Sequence, residues 1–149
     1  MGGSYYTKKI PLVKLEEICA KINTPIIALG NNDDKPVADA LEKKFPNVIN
    51  ACGKYSINQS AYIIKHAKLV ITSDTGLMHI AAAFNKKIIS IWGNTIPEFG
   101  MGPYKPNVEN VILEVKHLGC RPCSKLGFKK CPKGHFKCMM DIDIPTLEV

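Results

Sequence analysis

Ser73, Asp74, Thr75 and Gly76 form a short polar and flexible stretch between two apolar ones. Residues 69–71 before it (Leu, Val, Ile) read as a strand buried on both faces. Residues 77–84 after it are apolar nearly all round and rich in alanine, as expected of a buried helix. In an open parallel sheet, ligands bind where strands end and helices begin. The first turn of a helix there offers unpaired N–H groups and about half a positive charge, which suits phosphate. Gly76 lets a ligand approach the backbone, Thr75 adds a hydroxyl, and His79 lies one turn on along the same helix face. A capped core helix fits the pattern equally well, with Asp74 or Thr75 as the cap and His79 bonded to a carbonyl.

Further candidates stand at other junctions. Thr7, Lys8 and Lys9 precede Ile10 and Pro11, just ahead of a helical repeat through Leu12, Leu15, Ile18, Cys19 and Ile22. By themselves the two lysines read as solvated charges. Asp33 and Asp34 follow a strand at residues 26–30, where an acid can hold ribose hydroxyls or cap the helix that opens with Pro36. Thr95 follows the strand at residues 88–92. Residues 93–104 are dense in Gly and Pro and read as a long loop of the kind that forms lids.

The elements that must position these groups alternate strand and helix. Strands are expected near 26–30, 48–52, 69–72, 88–92 and 111–115. Helices are expected over 35–45 and from Ser56, which with Gln59 makes a capping box, to about residue 67. This predicts an α/β, Rossmann-like three-layer domain with a mainly parallel sheet. The chain has 149 residues, 46% hydrophobic and 22% charged, the composition of one globular domain with a real core. No apolar run reaches the roughly 20 residues of a membrane span, and no secretory signal is visible, so a cytoplasmic location is expected. The net charge of +7 suits phosphates, nucleic acid or an anionic membrane.

Composition shifts at Lys116, which divides residues 1–115 from a basic Cys-rich segment, 116–149, of the same domain. Cys120, Cys123, Cys131 and Cys138 give C-x2-C-x7-C-x6-C, interleaved with five lysines. Such thiols can hold a structural zinc, pair as disulfides, or stay reduced and pack a surface loop. The corresponding rival function is a nucleic-acid-binding module. The scarcity of aromatics among its lysines, only Phe128 and Phe136, weakens it. A last helix is expected to begin near Ile144.

The run Ser73-Asp-Thr-Gly-Leu-Met-His-Ile-Ala-Ala-Ala83, the strand Ile88-Ile-Ser-Ile-Trp92 and the loop Gly93-Asn-Thr-Ile-Pro97 together resemble glycosyltransferase family nine. These are the ADP-heptose:lipopolysaccharide heptosyltransferases. Asn94 departs from the family, which has proline there, and Ile10 stands where tryptophan is frequent. Cys120, Pro122 and Cys123, then Cys131-Pro132 and Cys138-Met139, also match, in a family whose mechanism uses no metal.

The resemblance implies the C-terminal, donor-binding half of a GT-B fold, and thus an excised domain with a strand missing before Gly2. It implies Lys8 as the catalytic contact to the donor diphosphate, with Lys9 the less favoured register. Thr7, Asp34 (or Asp33), Asp74, Thr75, Gly76, His79 and Thr95 are implied to bind substrate, with the adenine near Gly53, Lys54 and Tyr55. The activity implied is inverting transfer of a heptose from a nucleotide diphosphate to the lipopolysaccharide inner core, with no cofactor and no metal. The base belongs to the other half, so this chain is expected to bind donor without turnover. The partners implied are the nucleotide sugar, the acceptor through the other half, and contact at the inner membrane, with no nucleic acid. The donor domain of another GT-B glycosyltransferase is a further alternative.

Overall fold

The computed structural model describes residues 3–147. Expectations that fall on Met1, Gly2, Glu148 and Val149 lie outside them. Among the described residues, five α-helices and five strands follow one another, alternating except that the last strand succeeds the fourth without an α-helix between them. Helix α1 (Leu12–Ala20) comes first, with Pro11 as its N-cap. Strand β1 (Ile26–Ala28) follows, then a single 3-10 turn (Asn32–Asp34) leading directly into α2 (Lys35–Lys44). Next are β2 (Val48–Asn50), α3 (Ile57–His66), β3 (Leu69–Ser73), α4 (Gly76–Ala83), β4 (Lys87–Trp92) and β5 (Val111–Glu114). A short α5 (Lys137–Met140) stands near the end. No helix among the described residues is long and apolar enough to cross a membrane.

All the strand pairs are parallel, as the strand–helix alternation requires. The strands form two sheets rather than one, β1-β2 and β3-β4-β5. β1 and β2 are shorter than expected. Ala51 N–H to Ala28 C=O and Gly53 N–H to Gly30 C=O, both at 3.0 Å, still join the stretches beyond them, while Asn50 Oδ1 accepts from Cys52 N–H at 2.9 Å in a local turn.

Two apolar layers cover opposite faces of the strands. Ile89 and Ile91 of β4 join one layer with Leu15 and Ile18 of α1, Leu41 of α2 and Ala28 of β1. Ile88 and Trp92, pointing the other way, join Ile64 of α3 and Met78 and Ala81 of α4. This is the period-two alternation of a sheet sandwiched by helices. The Ser56–Gln59 capping box opens α3 as expected, with Gln59 N–H to Ser56 Oγ at 3.3 Å.

The tail differs from expectation. No helix begins at Ile144. Residues 142–147 run without regular structure, and Ile142, Ile144 and Leu147 are buried in the layer against α1. Lys14 Nζ donates to Ile142 C=O at 2.7 Å and Lys21 Nζ to Ile144 C=O, so two α1 lysines hold this stretch by its carbonyls. Pro145 has no N–H to give a helix, consistent with the extended course.

Candidate functional site

The carboxyl ends of the strands bring together the residues that the sequence singles out, in two clusters joined by adjacent lysines. Lys8 Nζ donates to Asp74 Oδ2 at 2.5 Å, just beyond the end of β3. Lys9 Nζ lies 3.6 Å from Asp34 Oδ1, beyond β1. Each lysine thus has its own carboxylate, and Lys8 is the one beside the Asp-Thr-Gly turn.

The Asp74 cluster is buried below and open above. Asp74 and Lys8 side chains are 8% and 12% exposed, so the ion pair is largely withdrawn from water. Thr95, itself buried, donates its hydroxyl to the same Asp74 Oδ2 at 3.3 Å. Thr95 thus supports the Asp74 carboxylate. Above the pair, α4 starts with Thr75 as N-cap, yet its side chain makes no capping bond. Its hydroxyl is 3.1 Å from Thr72 Oγ1 instead. The first hydrogen bond of the turn runs from Met78 N–H to Thr75 C=O at 3.1 Å. The N–H groups of Gly76 and Leu77 consequently have no acceptor among the described residues. Gly76 is exposed, and a Cβ built on it would meet nothing within 4 Å. His79 is also exposed and has no hydrogen-bond partner among the described residues, so the alternative that it bonds a carbonyl in a capped core helix is corrected.

The Asp34 cluster is closed. Asn31 Oδ1 accepts from Asp33 N–H at 3.0 Å, and Asp34 Oδ2 accepts from Asn31 N–H at 3.1 Å, a reciprocal capping box around the 3-10 turn. Asp34 is 3% exposed and gives no side-chain cap to α2. The expectation that its side chain caps α2 is corrected: the carboxylate accepts from its own turn instead. Gly30 is required for this, since a Cβ there would lie 2.5 Å from Asp34 Oδ2. Gly53, at φ +70°, would bring a Cβ within 2.0 Å of Asn32 Oδ1. Its place after β2 is set by that turn, whereas Lys54 and Tyr55 stay exposed.

Thr7 is a strap rather than a surface donor. It is 1% exposed, its Oγ1 accepts from Phe128 N–H at 2.8 Å, and its N–H donates to Phe128 C=O at 3.2 Å. The Cys-rich segment thereby holds the Lys8 loop from behind, and Gly127 makes the approach possible, since a Cβ there would lie 2.6 Å from Tyr5 Cβ.

Arg121 was not singled out by sequence, yet it fixes the other side of the site. Its Nε donates to Gly93 C=O at 2.6 Å, and Nη2 donates to Thr95 C=O at 3.0 Å and Glu114 Oε2 at 2.6 Å. Cys123 N–H adds a bond to Asn94 C=O at 3.2 Å. Residues 93–95 are thus pinned, which corrects the reading of the whole loop 93–104 as a lid. The signal available was a lone arginine in a lysine-rich segment: a planar fork suits several carbonyls at once, as an ammonium does not.

The four late cysteines line one cavity of about 260 Å³ with Asn94, Arg121 and His135. All are free thiols, and no group of three or more His, Cys, Asp or Glu among the described residues is arranged to hold a metal ion. Burial, and then the neighbouring cysteines, push Cys138 up to about 11. For Cys131 burial acts upward, but N–H groups of Phe136, Lys133, Gly134 and His135 outweigh it and lower the thiol. The five interleaved lysines are exposed.

A parallel α/β domain with an uncapped helix start beside a buried lysine–aspartate pair belongs to the broad class of nucleotide-binding folds. Comparison with known proteins narrows this. Residues 14–130 match glycosyltransferase family 9 (heptosyltransferase), and the chain belongs to that family. It is 32% identical over 91 residues to lipooligosaccharide heptosyltransferase 2 of Haemophilus influenzae, covering 58% of this chain and 26% of that protein. Against the Campylobacter jejuni serotype O:2 protein of the same name it is 35% identical over 102 residues, 68% of this chain and 30% of the relative. The chain therefore spans less than a third of these curated relatives. The fold matches that of E. coli ADP-heptose lps heptosyltransferase II with a TM-score of 0.68 at 16% identity, over 94% of this chain and 44% of that one. The rival reading as a nucleic-acid-binding module has no support in these comparisons.

Proposed function

We propose that this chain is the donor-binding half of an inverting heptosyltransferase, taking a nucleotide-diphosphate heptose such as ADP-heptose for transfer to the lipopolysaccharide inner core. One observation carries the reading: the free N–H groups of Gly76 and Leu77 open to solvent directly beside the Lys8–Asp74 pair. Two N–H groups at a helix start and an ammonium within one small region match the charge and shape of a diphosphate. Asp74 holds the Lys8 ammonium in place and leaves it further N–H donors for phosphate oxygens. As the bond from sugar to diphosphate breaks, negative charge grows on the leaving oxygen. Lys8 and the helix start offset it without reorganising.

Asp74 and Thr95 keep Lys8 aimed, Thr7 anchors its loop to Phe128, and His79 lies exposed on the same helix for contact with the sugar or acceptor. The base that takes the acceptor proton comes from outside this chain, which therefore binds donor and turns over nothing alone. The cytoplasmic side of the inner membrane, where the exposed lysines after residue 116 can meet anionic lipid, is the location this reading implies.

Calorimetry with ADP, UDP and GDP tests it. Saturable binding of ADP, stronger than that of the other two and lost in Lys8→Ala, is expected. Equal binding of all three, or binding indifferent to Lys8, would contradict the reading.

A further inference from the structure

The segment between β5 and α5 has almost no core of its own. Residues 115–136 contain neither helix nor strand, and only Gly127 and Phe136 among them are buried. Ordering the backbone of each such residue costs roughly 1–2 kcal/mol. A structureless stretch of this length in a compact domain needs something to hold it, and apolar burial is not available. Within it, Cys120, Cys123 and Cys131, together with Cys138 of α5, line one cavity of about 260 Å³.

We propose that these four cysteines hold a cubane [4Fe–4S] cluster, a structural cofactor that ties the segment together. Four cysteine thiolates are the donor set that such clusters take. Size separates a cluster from one ion. Four thiolates around a zinc ion, each at about 2.3 Å, would bring the sulfurs together and fill the space between them. Here no three such groups among the described residues converge on a single-ion site, and the cysteines surround a cavity instead. An iron–sulfur cube, with sulfides about as large as water, needs on the order of 100–200 Å³. The cavity has that room.

Two further observations mark the cavity as a binding site. Asn94 is 1% exposed and lines it, yet neither Nδ2 nor Oδ1 has a hydrogen-bond partner among the described residues. A buried amide without a partner is costly, and its N–H groups can donate to cluster sulfur. At Cys131, backbone N–H groups of Lys133, Gly134, His135 and Phe136 reach the sulfur. Gly134 at φ +76° and Phe136 at φ +48° belong to the bend that turns them inward. N–H bonds of this kind favour a thiolate over a thiol and stabilise iron–sulfur centres. Charge agrees, because the cluster with its four thiolates is an anion. The lining contains Arg121 and Lys133 and no Asp or Glu, and Lys125, Lys129, Lys130 and Lys137 lie between or beside the ligands. The cluster stands outside the Lys8–Asp74 pair and takes no part in sugar transfer. It braces residues 93–95 from behind, through Cys123 N–H on Asn94 C=O and Arg121 on the carbonyls of Gly93 and Thr95.

The test is anaerobic reconstitution of the 149-residue chain with equal amounts of ferrous and ferric iron, sulfide and a thiol, followed by desalting. Iron in this mixture has the average oxidation state of the cluster, so assembly needs no further oxidant, and the cysteine protons pass to solvent. The cluster-free chain has four free thiols that titrate on their own. The expected product carries about four irons and about four sulfides per chain, with a broad visible absorption that dithionite bleaches. Amide exchange over residues 116–136 should be slowed by at least about tenfold relative to the cluster-free chain. Cys131→Ala and Cys138→Ala should lose most of the iron, whereas Cys19→Ala, outside the cavity, should keep it. The iron and sulfide content of the unaltered chain decides the matter even where a variant fails to fold. Zinc bound one-to-one in preference to the cluster, iron without sulfide, full iron in Cys131→Ala, or thiols and disulfides alone would each overturn the proposal. ADP plays no part in these readouts, so their failure leaves the donor-binding reading standing, and the reverse also holds.

Discussion

Asp34 and Asp74 occupy equivalent places, each just past the carboxyl end of a strand, each paired to one of two adjacent lysines. They differ in where the backbone N–H groups around them go. At Asp34 the turn satisfies itself: Asn31 Oδ1 takes the N–H of Asp33, Asp34 Oδ2 takes the N–H of Asn31, and Gly30 leaves room for the carboxylate to fold back. At Asp74 the side chains turn downward, to Lys8 and Thr95, and Thr75 turns to Thr72, leaving the start of α4 without a cap. An acid at a strand end is thus a site or a cap according to which orphan donors remain. The second cluster alone pairs its lysine with an uncapped start of a regular helix.

The sharpest contrast between the clusters is energetic. Lys8→Ala strands a buried carboxylate and is expected to cost about 3 kcal/mol of unfolding free energy, measured by urea denaturation, besides abolishing ADP binding. Lys9→Ala removes a longer, partly solvated pair and should cost less than about 1 kcal/mol, with ADP binding kept. Equal losses at the two positions would erase the distinction. The double change Lys8→Met with Asp74→Leu should recover much of the stability and none of the binding, because it removes both charges together.

Gly30→Ala comes next. Its Cβ meets the Asp34 carboxylate at 2.5 Å, so the closed turn must shift, at about 1–3 kcal/mol, read as a drop in melting temperature. Gly76→Ala goes the other way. Nothing in the protein meets the new methyl, and removing a helical glycine should stabilise by up to about 1 kcal/mol. Gly76→Leu, with a side chain reaching into the open space, should preserve folding while cutting ADP affinity by about tenfold or more, measured by calorimetry.

The last effect, confined to alkaline pH, concerns the thiols. Cys138 is held protonated to about 11 in the folded chain against about 9 when unfolded. Above pH 9 the unfolded state releases the proton first, so stability is full below that pH and falls as pH rises toward 11, by roughly 1.4 kcal/mol per unit at most. Cys138→Ala should flatten that slope in denaturation curves taken from pH 8 to 11. Cys131, lowered by its N–H bonds, should be alkylated before Cys138.

The order of strands and helices was legible because buried parallel strands read as short apolar runs and α4 is apolar all round. The Asp74 turn was legible as well, because small polar residues sat between those two patterns. What escaped is contact between distant parts of the chain. Nothing at Thr7 foretells its bonds to Phe128, 121 residues away. Arg121 looks like one more positive charge until its three nitrogens are seen on Gly93, Val115, Thr95 and Glu114. The order of the strands in two sheets was also hidden, because local patterns report which residues are strand and not which strands pair. The helix expected at Ile144 failed where Pro145 and the carbonyl bonds from Lys14 and Lys21 prevailed over an apolar run.

The most direct test of the account is an amide NMR titration of the chain with ADP. The account predicts the largest shifts at Gly76 and Leu77, weakened in Lys8→Ala, and little change at Asn31 and Asp34. Shifts centred on Asn31 and Asp34, with Gly76 and Leu77 unmoved, would contradict it.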